Sequence, residues 1–203
     1  MFAIVESGSI TSMPRGNKGV EINGVKHPAS IFTLWSESER NAIGVYTVEI
    51  DETNKKDGEW YINTDITYSY DSSAKKVKGT YGTATAKAHA DTTYTNTDKS
   101  NGLIPTGKDV GDVKDEGLKT ILIRNVKNQA EGKLNATDWY VTRKSEEGTA
   151  IPSAITTHRK AVRTKQAEME TAITNAADTA ALETLYKRGD NNERPLGDLP
   201  NLE

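Results

Sequence analysis

Apolar positions change period partway along the chain. Residues 1–83 alternate with a period near two, the signature of strands. From Asp115 onward they recur every three to four residues, the signature of helices. In the first part, Phe2–Val5 is a short apolar run. "GVEINGVKH" predicts a hairpin, because Asn23-Gly24 supplies the positive φ of a type I′ turn. Ser36 followed by Glu39 predicts a capping box, opening a helix over 36–43 that Gly44 ends. "VYTVEI", "EWYINTDITYSYD" and "KVKGTYGT" predict further strands, the last two joined by "DSSAKK". "ATAKAHADTT" predicts a weak helix, and the Gly-, Asn- and Asp-rich stretch after it a linker.

In the second part, Leu118, Ile121, Leu122 and Val126 form one stripe, with Gly132 as the expected stop. Thr137 is expected to cap a second helix ending at Gly148. Pro152 opens a third, running to about residue 175, and Asp178 caps a last one ending near Lys187. Steps of four and three from Ile151 give Ile155, His158, Val162, Lys165, Met169, Ala172 and Ala176. This is a diluted coiled-coil seam, which fits either packing inside one subunit or a seam between copies. The expected architecture is therefore α+β. A β-rich domain spans 1–95, a linker loop 96–114, a helical hairpin or coiled module 115–188, and an extended C-terminal tail 189–203.

Composition adjusts this picture. Apolar residues make up 34% of the 203 residues and charged ones 27%, so the core is thin and part of the chain is expected to be ordered by partners. The formal net charge of −3 gives no pull towards nucleic acid or an anionic membrane. Without cysteine there are no disulfides, thiolate metal sites or cysteine nucleophiles. No stretch nears the roughly 18 apolar residues of a membrane span, and the first residues lack the basic start of a signal peptide. No membrane insertion is expected.

Candidate chemistry is sparse. "GLIPTGKD" (Gly102–Asp109) has the glycine and Gly-Lys spacing of a phosphate loop. It carries Asp109 where a magnesium-holding hydroxyl belongs, and no strand and helix flank it. His27, His89 and His158 are scattered, and Asp109, Asp112, Asp115 and Glu116 lack a calcium-loop pattern. Arg159, Lys160, Arg163 and Lys165 read as an exposed helix surface. Trp60, Tyr61, Tyr68, Tyr70 and Tyr81 could stack on sugars, or fill one face of a sheet. No catalytic, cofactor or metal residue is assigned. The residues expected to pack or interact are Trp139, Ile155, Val162, Met169, Ile121 and Leu122, with Trp139 as the buried wedge between helices.

One resemblance adds to this. Leu134, Thr137-Asp138-Trp139, Arg143, Glu147-Gly148, Ile151-Pro152, His158-Arg159 and Val162-Arg163 resemble the C-terminal module of small tail and tail-fibre-assembly proteins of marine and cyanobacterial tailed bacteriophages. The family more often has tyrosine at the position of His158. "HPASIFTLWSESERNAIGVYTVEID", with Ile43-Gly44-Val45, looks like the N-terminal part of such proteins. The likeness covers residues 27–62 and 117–187. It implies a structural, non-enzymatic component of a phage tail, made in the bacterial cytoplasm and located in the virion. Its partners would be other tail or fibre proteins, and it would form homo-oligomers within the assembly. A fibre-assembly chaperone is the alternative, and a carbohydrate-binding module or small hydrolase a more distant one.

Overall fold

A computed structural model of the chain describes residues 1–202. The fold is α+β, with sheets in the N-terminal half and helices in the C-terminal half. It divides into two compact units, Met1–Thr85 and Ala86–Glu203.

In the first unit, β1 (Phe2–Glu6) turns through Ser7 and Gly8, both at positive φ, into antiparallel β2 (Ser9–Ser12). β3 (Val20–Ile22) and β4 (Val25–His27) form the expected hairpin, with φ of 48° at Asn23 and 78° at Gly24. A short α1 (Ile31–Leu34) precedes α2 (Glu37–Ala42), where the Ser36–Glu39 capping box closes in both directions. Gly44 follows at φ 84°. A Cβ there would stand 2.5 Å from the Val5 carbonyl oxygen, so the position needs glycine both for conformation and for space.

The chain continues through β5 (Val45–Asp51), β6 (Tyr61–Ile62), β7 (Ile66–Asp71) and β8 (Lys76–Tyr81). The main sheet has the order β2-β1-β5-β8-β7. All its pairs are antiparallel except β5–β8. Strand alternation gives two cores. Ala3, Val5, Tyr46, Val48 and Val77 pack on one face with Ile10, Met13 and Tyr70. Ile4 and Val45 point the other way, onto Ile22, Ile31 and Phe32 of the hairpin and α1.

The second unit begins earlier than expected: the division falls at Thr85, not at 95. β9 (Thr85–Ala86) and β10 (Thr92–Thr93) stand where a weak helix was expected, in a stretch dense in β-branched threonine. The expected linker is also organised. A Thr95–Asp98 capping box opens α3 (Asn96–Ser100), and β11 (Val113–Asp115) pairs with β10. Lys114 Nζ lies 2.8 Å from Asp98, tying the two together. Four helices follow: α4 (Leu118–Asn135), α5 (Asp138–Glu147), α6 (Ser153–Asn175) and α7 (Thr179–Tyr186).

Gly117 cannot cap α4 with a side chain. Asp91 does so from a distance: its carboxylate accepts from the Gly117 amide at 2.7 Å and from the Thr120 hydroxyl at 2.9 Å. These bonds hold the Asp91 carboxyl below its ordinary range. Gly132 does not end α4. It stays in the right-handed region, and the helix runs on to Asn135 while packing against α6.

Leu122, Val126 and Ala130 are the buried stripe of α4, facing a helix whose buried positions include Ile155, Val162, Met169 and Ile173. The seam read along α6 is thus covered within a single chain. Ile121 is only half-buried, at the edge of the stripe. The tail is not simply extended. Leu196 and Leu199 are buried, the Leu196 amide donates to the Leu185 carbonyl, and Arg188 and Arg194 converge on Asp198.

Candidate functional site at the α4–α5–α6 corner

The chain leaves α4 at Asn135 and turns into α5 within three residues. Thr137 stands at this turn but does not cap α5. Its hydroxyl donates back to the Leu134 carbonyl at 2.9 Å. Arg159 of α6 fills the corner, although its charge had suggested an exposed surface. It sits on the face that carries Ile155 and Val162, and only 8% of it is exposed. Its Nη1 lies 2.8 Å from the Leu134 carbonyl, 2.7 Å from the Thr137 hydroxyl oxygen and 2.8 Å from the Asp138 carboxylate. A buried guanidinium is thereby supplied with acceptors from both neighbouring helices.

α5 itself buries no residue, and ends at Gly148, φ 70°. Trp139, expected as the wedge between helices, is instead 51% exposed. The physical reason is that Thr137 and Arg159 already occupy the corner, so the first turn of α5 presents its indole outward. Val141, nearly opposite on the helix, is 43% exposed. Trp139 and Tyr140 lie with ring centroids 3.9 Å apart. The Arg143 guanidinium carbon stands 4.6 Å from the Trp139 centroid and 5.4 Å from that of Tyr140. Ring quadrupoles attract such a cation, so the three side chains form one ordered outer face. The i+3 and i+4 spacing of Arg143 from the two aromatics was visible in the sequence.

The other candidates are dispersed. Ile155, Val162, Met169 and Leu122 are buried core. Gly102–Asp109 forms no phosphate cradle: it is a loop between α3 and β11, and Asp109 pairs with Lys99 at 2.9 Å. His27 packs edge-on to Trp35, and His158 is buried on α6. No cluster of three or more His, Cys, Asp or Glu that could hold a metal ion is found among the described residues. Of the aromatics in the β unit, Trp60 and Tyr61 are buried. Tyr70 donates its hydroxyl proton to the Tyr46 oxygen at 2.9 Å, and burial pushes the Tyr46 phenol up to about 12. The five rings do not make a shared exposed platform. No helix among the described residues is long and apolar enough to cross a membrane.

Comparison with protein-family models, with curated proteins and with solved structures gives no match.

Proposed function

We propose that the chain is a structural component of a bacteriophage tail, acting through protein–protein contacts made by its helical unit. The observation that carries this reading is α5: a helix that buries nothing of its own, yet displays a tryptophan, a tyrosine and a stacked arginine. Isolated helices of this length are marginal in water, and exposed Trp, Tyr and Arg are the residue types that dominate binding energy at interfaces. The resemblance of residues 134–163 to phage tail modules supplies the biological setting. The alternative of a seam between copies along Ile155, Val162 and Met169 is disfavoured, because those residues are already covered.

Quantitative mass spectrometry of purified particles tests the assignment. Stoichiometric copies are expected in mature virions. Traces, with fibres failing to mature when the gene is removed, would indicate the assembly chaperone instead. Absence of both would refute a tail role. A Trp139→Ala protein is expected to fold and stay out of particles; normal incorporation would remove α5 as the docking element.

A further inference from the structure

We propose that Arg143 anchors a carboxylate of a partner protein, and that the outer face of α5 takes an acidic segment in which an aspartate or glutamate stands beside an apolar side chain. This rests on the reading of α5 as a docking element.

Three observations point to that chemistry. Arg143 makes no hydrogen bond or ion pair with any described residue; its Nε is closed off from solvent, so the two terminal nitrogens, Nη1 and Nη2, are the edge left for a ligand. That edge of a guanidinium matches a carboxylate in two parallel bonds. The guanidinium is also already oriented by the Trp139 and Tyr140 rings, so little side-chain freedom remains to be lost on binding. Finally, the chain's own carboxylates do not fill the role. Glu146 and Glu147 stand three and four residues further along the helix, yet neither pairs with Arg143. Helical side chains lean towards the N-terminus, which carries Arg143 back over Trp139 and away from them. An unpaired cation beside a half-exposed indole is complementary to a carboxylate beside an apolar group.

The test uses the full-length protein as bait for a displayed library of random dodecapeptides. Enriched sequences are then made as labelled synthetic peptides. Dissociation constants are measured by fluorescence anisotropy for wild type, Arg143→Gln, Arg143→Lys and Trp139→Ala, with melting curves confirming that each variant is folded. Enriched peptides are expected to share an Asp or Glu next to an apolar residue. Arg143→Gln should weaken binding roughly tenfold or more, and Arg143→Lys should restore only part of it. Replacing the peptide's acid by its amide should have the same effect, and should add nothing in the Arg143→Gln protein. Peptides that lack a carboxylate but depend on Trp139 would overturn the carboxylate anchor while leaving α5 as a docking element. Peptides indifferent to both residues, or no enrichment, would overturn both. Self-association in sedimentation that Trp139→Ala abolishes would mean that a second copy covers this face, and would also overturn the proposal.

Discussion

Arg159 and Trp139 make opposite contributions to stability from those their residue types suggest, and a paired substitution shows it. Arg159→Ala removes the Nη1 contacts to Leu134, Thr137 and Asp138 and the packing of a nearly buried stem. The loss is bounded by what stays satisfied. The Leu134 carbonyl still accepts from the Thr137 amide and hydroxyl, so no buried acceptor is orphaned. The Asp138 side chain is 52% exposed, and water replaces much of that ion pair. One charge-assisted hydrogen bond plus the stem gives a cost of about 2–3 kcal/mol. Trp139→Ala loses a ring that is already half in water, and alanine regains some helix propensity, so its cost is under about 1 kcal/mol. At about 4 °C per kcal/mol for a unit of this size, Arg159→Ala lowers the melting temperature by roughly 8–12 °C and Trp139→Ala by less than about 4 °C. Scanning calorimetry of the full chain, with helix content followed at 222 nm, measures both. An Arg159→Ala shift below about 2 °C, or a larger loss from Trp139→Ala, would refute the assignment of the corner to Arg159.

Two further outcomes are expected. Gly44→Ala forces a Cβ to within 2.5 Å of the Val5 carbonyl oxygen at φ 84°, and should destabilise the first unit by more than about 2 kcal/mol in urea melts. Because Asp91 has a folded-state pKa below its unfolded one, its stabilisation is complete above about pH 4 and is lost as pH falls through the lowered value. The melting temperature of the helical unit should therefore drop as the pH is taken below about 4, and drop less steeply in Asp91→Asn.

What was legible in the sequence was local. The Asn23-Gly24 turn, the Ser36–Glu39 box, the Asp178 cap and the glycine at 148 each act within four residues, and each stands where its residue types placed it. The alternation of Ala3, Ile4 and Val5 between two cores follows from the pleat. Three features depended on distant partners and were not legible. Asp91 caps a helix that begins 27 positions later. Leu196 and Leu199 are buried although no periodicity surrounds them. Arg159 shares the Ile155–Val162 face, but its charge argued for solvent until acceptors from α4 and α5 were found around it. Trp139 failed for the converse reason. A large indole suggests burial, yet the space behind it had already been filled.

The corner also explains how α5 can be ordered while burying nothing. Arg159 sits where α4 ends and α5 begins. The end of α4 carries partial negative charge, and the Leu134 carbonyl, which also accepts from Thr137, is the acceptor there that Arg159 meets. The start of α5 carries the opposite partial charge, and Asp138 in its first turn is held there by the same guanidinium. One cation thus satisfies the C-terminal end of one helix and fixes the N-terminal carboxylate of the next. The groups that hold α5 face inward through Thr137 and Arg159, and the groups that face outward are Trp139, Tyr140 and Arg143. Fixing the helix and presenting its surface are therefore assigned to different side chains. Substitutions at Arg159 should alter stability first and binding only as a consequence, whereas substitutions at Trp139 and Arg143 should alter binding in a protein that still melts near the wild-type temperature.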